Sequence, residues 1–153
     1  MKNDNTIDES FMALAVAEAR AALTQKELPF GAVIVKDGQV IAAAHCQEST
    51  LKSVLAHAET LAIDAACKKL GGTLTDCALY ATNEPCAMCA AALFQAKIPR
   101  IIIGASRSDL DWLMRARKIT INELAADSGY PIDIKRGLLK ELVLELFEPL
   151  RKH

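Results

Sequence analysis

The strongest constraint on the fold of this chain is a set of three residues that can bind one metal ion. These residues lie in two separate segments, which the fold must bring together. His57 lies in the run His57-Ala58-Glu59, and 26 residues after Glu59 the chain reads Pro85-Cys86-Ala87-Met88-Cys89. One imidazole and two thiolates supply three ligands for zinc and leave the fourth tetrahedral position open, as in catalytic rather than structural zinc sites. Glu59 is a carboxylate two positions from a ligand, where it can move protons for whatever occupies that position.

The C-x-x-C pair alone has other interpretations, a redox dithiol or half of a zinc ribbon. The sequence holds no second C-x-x-C, which disfavours a ribbon, and a redox pair leaves His57 and Glu59 unexplained. Two predicted helices account for the spacing. One covers 55–69 and carries His57 and Glu59 at its beginning; the other begins at Pro85, with both cysteines on one face. We expect the two helix starts to face each other around the metal.

Composition restricts the class of protein and its partners. The 153 residues carry a net charge of −1 and are 52% hydrophobic, which is typical of one domain with a well-filled core. Two of the five cysteines are assigned to metal, and the other three favour a reducing cytoplasm over a disulfide framework. The polar, acidic start does not resemble a signal peptide, and we predict no membrane span. The expectation is a single cytoplasmic domain over 1–153.

The order of predicted elements indicates the fold class. A helix behind a capping box at Thr6-Ile7-Asp8-Glu9 precedes a hairpin whose turn lies at 36–39. The later strands alternate with helices and lie at 77–82, 100–103 and 132–135. Further predictions are a loop at 46–54, short helices at 110–117 and 121–126, and a last helix at 138–151. Such alternation implies right-handed crossovers and a parallel part of the sheet, whereas the hairpin adds an antiparallel pair. We therefore expect an α/β fold, a three-layer helix–sheet–helix sandwich with a mixed sheet of about five strands.

These motifs resemble the cytidine deaminase-like superfamily over nearly the whole chain. The matching landmarks are Pro29-Phe30-Gly31-Ala32-Val33, His57-Ala58-Glu59, Glu84-Pro85-Cys86-Ala87-Met88-Cys89 and the stretch 132–137. The resemblance implies one Zn²⁺ per subunit, held by His57, Cys86 and Cys89, and a homodimer or higher oligomer. It also implies hydrolytic removal of an exocyclic amino group, as ammonia, from a nucleobase or related heterocycle. Glu59 is then expected to carry protons between the water, the ring and the leaving amine.

Two branches of that superfamily compete. The runs at 29–38 and 66–71 look like guanine deaminases, and Asp109 lies near the position of an aspartate that contacts the base and assists proton transfer in them. The alternative for Asp109 is a helix N-cap. Chain length, the strand end at 103–105 and the last strand–helix pair look like bacterial tRNA adenosine deaminases. We expect guanine deamination, within purine metabolism, as the first choice and conversion of adenosine to inosine in tRNA as the second.

A local excess of positive charge also bears on that choice. Five basic and two acidic residues lie between 100 and 118, a net charge of +3, which is able to meet phosphates. The alternative is an ordinary solvated helix face. The residues are Arg100, Arg107, Arg115, Arg117 and Lys118, against Asp109 and Asp111.

Substrate contacts are expected from Phe30, Cys46, Ala58 and Trp112. Phe30 and Trp112 are candidate apolar walls for a small ring. Cys46 stands where the superfamily usually has an asparagine that hydrogen-bonds the base, and a thiol is a poor replacement for an amide. A hypothesis of another class follows, in which Cys46 binds zinc as a fourth ligand and closes the site. The protein would then be a zinc-stabilised binding module or a redox-gated enzyme.

Overall fold

The computed structural model describes residues 4–151 and contains one five-stranded sheet. The strands are β1 (Gly31–Lys36), β2 (Gln39–His45), β3 (Cys77–Asn83), β4 (Arg100–Ala105) and β5 (Asp133–Lys135), in the spatial order β2-β1-β3-β4-β5. Strand β1 pairs antiparallel with β2 and with β3, whereas β3, β4 and β5 run parallel. The predicted mixed sheet is confirmed.

Helices cover both faces of this sheet. They are α1 (Asp4–Thr24), α2 (Glu48–Leu51), α3 (Ala58–Leu70), α4 (Ala87–Ala96), α5 (Ile121–Ser128) and α6 (Lys140–Glu145), with short 3₁₀ helices at Arg107–Leu110 and Glu148–Leu150. Helices α1 and α6 pack on one face, and α3, α4 and α5 pack on the other, which confirms the three-layer α/β sandwich. Within the described part of the chain, no helix has the length and apolar character needed to span a bilayer.

Strand side chains alternate between the two helical layers. In β1, Ala32 and Ile34 pack toward α3 and α4, whereas Val33 and Val35 pack toward α1. Burial on both faces explains why this strand reads as a continuous apolar run. The same period of two places Asn83, at the end of β3, on the α3 and α4 side together with Ala81.

The predicted hairpin turn is confirmed. Strand β1 ends at Lys36 and β2 begins at Gln39, and the two residues between them, Asp37 and Gly38, have φ angles of 50° and 73°. Two consecutive residues with positive φ match the right-handed twist of the flanking strands, which is why Asp-Gly is a frequent pair at this place.

Some local predictions are wrong. Helix α1 already includes Asp4, so Thr6 lies inside the helix and does not cap it. The predicted loop at 46–54 contains α2, and the predicted helix at 110–117 is the end of a 3₁₀ helix followed by turns. The last helix stops at Glu145, because Pro149, four residues later, has no N–H to donate to the carbonyl of Glu145.

A buried carboxylate ties α1 to the sheet. Asp8 is 2% exposed and accepts hydrogen bonds from Arg100 at 2.7 and 3.1 Å, from Tyr80 at 2.7 Å and from Lys135 at 3.1 Å. Burial acts to raise the pKa of Asp8, but the hydrogen bonds from Arg100, Tyr80 and Lys135 outweigh it and lower the pKa to about 2. The ionised carboxylate therefore stabilises the fold.

Asp8→Asn is expected to lower the free energy of unfolding by about 2–3 kcal/mol at pH 7, because Arg100 and Lys135 lose a shared partner. Since the folded pKa lies below the unfolded value near 4, the native protein has this stabilisation, about 2 kcal/mol, above pH 4 and loses it as the pH falls toward 2. Urea unfolding across this pH range measures both effects. Asp133→Asn is the control, because Asp133 is 73% exposed and lies 3.6 Å from Arg100; equal loss in both variants would contradict the prediction.

Candidate active site

The N-terminal ends of α3 and α4 lie next to each other and carry the predicted metal ligands. His57 precedes α3 with an extended backbone (φ −81°, ψ 157°), and Cys86 precedes α4 in the same way (φ −69°, ψ 173°). The sulfur of Cys86 accepts a hydrogen bond from the N–H of Cys89, at 3.5 Å. Both helices begin later than predicted, at Ala58 rather than residue 55 and at Ala87 rather than residue 85. The ligands therefore flank the helix starts, where the chain is still turning.

The three ligand atoms meet at a spacing that suits zinc. Nδ1 of His57 lies 3.5 Å from Sγ of Cys86 and 3.4 Å from Sγ of Cys89, and all three atoms lie within 4.8 Å of one another. Tetrahedral zinc at roughly 2.0–2.3 Å from nitrogen and sulfur places such ligands about 3.5 Å apart. The donor set and the distances therefore fit one zinc ion with an open fourth position. Among residues 4–151 no second group of histidine, cysteine and acidic side chains meets this criterion.

Hydrogen bonds among the ligands change their affinity for protons. The side-chain contact with the Cys89 thiol lowers the pKa of the Cys86 thiol to about 3; burial opposes this, and the hydrogen bond from His57 adds to it. The hydrogen bond to Cys86 raises the pKa of His57 to about 9. Burial opposes this increase, and the hydrogen bond to Glu48 adds to it. These contacts favour the thiolate of Cys86, the form that binds zinc, whereas the His57 ring must release a proton when metal binds.

Glu59 lies in the first turn of α3, beside the ligands. The residue is 5% exposed, and its Oε2 accepts a hydrogen bond from the thiol of Cys89 at 3.3 Å. Burial raises the pKa of this carboxyl group. Because Glu59 lines the same cavity as His57 and Cys86, its carboxylate is within reach of a molecule held against the metal.

A cavity of about 500 Å³ opens over these residues. Three of the predicted substrate contacts, Phe30, Cys46 and Ala58, line it. The Cys46 N–H donates a hydrogen bond to the Phe30 carbonyl at 3.1 Å, which joins the chain after β2 to the chain before β1. The cavity lies at the edge of the sheet where β3 and β4 end, which is where ligands of open α/β sheets bind.

The structure does not bring two predicted site residues to this cavity. Asp109 is the third residue of the 3₁₀ helix Arg107–Leu110 and accepts a hydrogen bond from the N–H of the N-cap residue Ser106 at 2.8 Å, so it is not the N-cap of a helix at 110–117 that was the alternative from sequence. Trp112 packs instead with the cluster between α1 and α6, and the Arg151 guanidinium lies 5.6 Å from its ring centre. The connection between β4 and α5, which contains Asp109 and Trp112, instead contributes Met114 and Arg117 to the wall of the cavity.

The thiol of Cys46 is buried but lies outside the metal-ligand group. Burial raises its pKa, which favours the protonated thiol over the thiolate that zinc requires. The geometry therefore gives no support to a site closed by Cys46, and it leaves this side chain as part of the cavity wall.

The polar residues of the cavity that were missed from sequence include Asn83 and Glu48. Asn83 is 2% exposed; its Oδ1 accepts a hydrogen bond from Thr82 at 2.7 Å, whereas its Nδ2 has no acceptor among residues 4–151. A polar residue that ends an apolar strand was the signal for it. Glu48 contacts His57, but it lies in a stretch without periodicity, so no sequence pattern marked it. A buried amide without an acceptor is available to a bound ring.

Comparison with known proteins agrees with this geometry. The family described as the cytidine and deoxycytidylate deaminase zinc-binding region matches residues 5–105. That segment contains the three ligands and Glu59. The chain belongs to this family. The deaminase is therefore a hydrolase that acts on C–N bonds of cyclic amidines, with zinc as cofactor, as the motifs predicted.

Individual relatives of the deaminase come from both branches. It is 37% identical to the tRNA-specific adenosine deaminase of Aquifex aeolicus (strain VF5), over 95% of this chain and 97% of the relative. A solved tRNA:A34 deaminase, studied for A-to-I editing at the wobble position of transfer RNA, matches 90% of this chain and 98% of its own at 36% identity with a TM-score of 0.80. A solved guanine deaminase of Bacillus subtilis is 35% identical, with a TM-score of 0.64. The match covers 85% of this chain and 72% of the guanine deaminase. The expected preference for guanine is not supported, and the second expectation agrees better with these relatives.

Proposed function

We propose that this deaminase converts adenosine to inosine in a tRNA. The observation that carries the proposal is that two arginines, Arg107 and Arg117, line the catalytic cavity. A free base has no phosphate, whereas each nucleotide of an RNA has one, so cations beside the cavity have a partner when the substrate is a polynucleotide. Similarity to tRNA-specific adenosine deaminase over nearly the full length of both chains supports the same conclusion.

Positive charge continues beyond the cavity. A neighbouring cleft of about 450 Å³ shares both arginines and adds Arg136, and a further depression is bordered by Arg115 and Lys118. We call Arg107, Arg115, Arg117, Lys118 and Arg136 the basic rim. Of the ion pairs found among residues 4–151, none includes Arg115, Arg117 or Lys118. Arg100, counted with this charge from sequence, binds Asp8 instead.

Two cations of the basic rim act on each other. Burial, followed by the nearby charge of Arg117, lowers the pKa of the Arg107 guanidinium. Guanidinium groups held close together repel each other, and an anion bound between them removes that repulsion. The pair is therefore suited to a backbone phosphate of the substrate.

The residues of the cavity divide the chemistry among them. His57, Cys86 and Cys89 would hold the zinc, which when bound would supply an activated water for attack on the ring carbon that bears the amino group. The Glu59 carboxylate accepts a proton from that water and returns it to the ring nitrogen beside the attacked carbon. A second proton, taken from the hydroxyl group then on the attacked carbon, passes through Glu59 to the amine; the C–N bond breaks with release of ammonia, and the ring carbonyl forms. Since Asp109 lies outside the cavity, Glu59 performs both transfers.

The ring is held by the walls of the cavity. Phe30 and Ala58 supply apolar surface that excludes water. Cys46 replaces the asparagine usual in the superfamily, and the Asn83 Nδ2 donor lies in the wall of the same cavity. Asn83 thus supplies an amide donor for an acceptor atom of the ring. This amide comes from the end of β3, whereas the usual asparagine comes from the chain after β2.

Ammonia release by the zinc-loaded protein tests this function. The substrates are an anticodon stem-loop with adenosine at the wobble position, the same stem-loop with guanosine there, free adenosine, guanine and cytosine. Zinc-loaded Glu59→Ala serves as the blank. We expect turnover on the adenosine stem-loop alone, whereas turnover on free guanine without turnover on the stem-loop would overturn the proposal in favour of a free-base deaminase.

Arg117→Gln is expected to lower kcat/KM for the stem-loop about tenfold and to reduce the slope of log(kcat/KM) against log[KCl] by about one, as for the loss of one phosphate contact. The kcat at saturating RNA stays near the native value, because Arg117 is neither a metal ligand nor the residue that carries the protons. Arg20→Gln, on the exposed face of α1, is the matched control. An unchanged salt slope in Arg117→Gln would remove this residue from RNA binding.

A further inference from the structure

A carboxylate contacts the metal-ligand histidine from the side opposite the cysteines. Oε1 of Glu48 lies 2.8 Å from Nε2 of His57, while Nδ1 of the same ring faces the two sulfurs at 3.4 and 3.5 Å. The two ring nitrogens are therefore committed to different partners. Since a carboxylate accepts hydrogen bonds, the contact requires a proton on Nε2, so the proton that the ring releases when metal binds is the one on Nδ1, whose lone pair then faces the metal.

We propose that Glu48 is a positioning residue of the zinc site, which fixes the tautomer and the ring orientation of His57 so that Nδ1 is presented to the metal. Histidine ligands of metals commonly donate their second N–H to a carboxylate, and that partner raises the basicity of the ligating nitrogen. Glu48 lies outside the sequence motifs that contain the ligands and Glu59, in the connection between β2 and α3.

The backbone around Glu48 is held on both sides, which keeps its carboxylate in place. The Gln47 N–H donates to the Ala56 carbonyl at 3.0 Å, directly before His57. The Ser49 N–H donates to both carboxylate oxygens of Glu27, at 2.9 and 3.1 Å, and Glu27 is buried. Glu27 thereby anchors α2 to the segment that follows α1, and α2 in turn holds Glu48 against the histidine.

Exposure separates this role from a contribution to stability. The side chains of His57 and Glu48 are 29% and 40% exposed, and ion pairs with that access to water contribute little to stability. The free energy of unfolding of the metal-free protein is thus expected to change little when Glu48 is replaced. The affinity for zinc is the property that depends on the orientation of His57.

Competition between the protein and a chromophoric zinc chelator at constant pH tests the proposal. We expect Glu48→Ala to raise the Kd for zinc by about 10–100-fold. Glu48→Gln keeps an acceptor oxygen of the same length and should raise the Kd less than Glu48→Ala does. Nitrogen-15 NMR of the histidine rings in the zinc-bound protein reports the tautomer, and native His57 is expected to carry its proton on Nε2. Unfolding of the metal-free variants in urea should match that of the native protein.

The chain offers a matched control. Glu18 Oε2 lies 2.8 Å from Nδ1 of His45, a pair of the same type and length that is not part of the metal site. Glu18→Gln should leave the Kd for zinc unchanged. The proposal is overturned if Glu48→Ala binds zinc as tightly as the native protein does. It is equally overturned if Glu18→Gln weakens zinc binding as much as Glu48→Ala, because the effect would then be general.

Discussion

Glutamine in place of Glu59 is expected to reduce turnover of the stem-loop about 10⁴-fold while the protein keeps one zinc ion per chain. The amide has the same size and shape, so the buried position stays packed, but it cannot accept the proton of the attacking water. General acid–base catalysis contributes about 10²–10⁴-fold, and a carboxylate that performs both proton transfers belongs at the upper end of that range. Glu59 is not part of the ligand group, so metal content should be retained. Single-turnover rates and metal analysis by mass spectrometry measure the two quantities.

Asp109→Asn is the matched control for this experiment. The sequence alone allowed Asp109 either a catalytic role or that of N-cap for a helix at 110–117, whereas the structure shows it inside the 3₁₀ helix Arg107–Leu110, where it accepts a hydrogen bond from the Ser106 N–H in a capping box. The variant should therefore leave kcat essentially unchanged and cost about 1 kcal/mol of stability. A Glu59→Gln protein with full zinc and turnover within about tenfold of native would contradict the role of Glu59. A comparable loss in Asp109→Asn would return that residue to the chemistry.

The metal ligands could be predicted because their chemistry does not depend on fine structural detail. His57, Cys86 and Cys89 are among the few side chains that bind zinc, and their order and spacing leave few other uses. The hairpin was predictable for a similar reason, since Asp37 and Gly38 both take positive φ angles that few residue pairs tolerate. In both cases a local rule determines the result.

Other features depend on contacts between distant segments. The position of Trp112 is set by α1, α6 and Arg151, none of which has a periodic relation to it. Glu48 reaches His57 only because Glu27, 22 positions before Ser49, binds the backbone of α2. The basic residues between 100 and 118 show the same limit. They are close in sequence but separate in the fold, because Arg100 lies at the start of β4 and the other four lie beyond its end.

Alanine in place of Cys89 is expected to abolish zinc binding and, with it, turnover. Two ligands then remain, fewer than the three that catalytic zinc sites supply. Ligand binding to the native state stabilises it by about 4 kcal/mol when free zinc is 1,000 times its Kd. The native protein should therefore unfold at a lower urea concentration after treatment with a chelator, whereas the urea midpoint of Cys89→Ala should not respond to zinc or chelator. Metal analysis and urea unfolding with and without zinc check both expectations.

Cys46→Ala separates loss of a ligand from loss of a buried thiol. Cys46 and Cys89 are both buried, but only Cys89 belongs to the ligand group. Cys46→Ala should retain one zinc ion and the zinc-dependent shift in unfolding, because its thiol lies in the wall of the cavity rather than on the metal. If it lost zinc together with Cys89→Ala, the metal would have four protein ligands and no open position. Retention of zinc by Cys46→Ala and its loss from Cys89→Ala would instead leave the fourth position to water, which a hydrolytic deaminase requires.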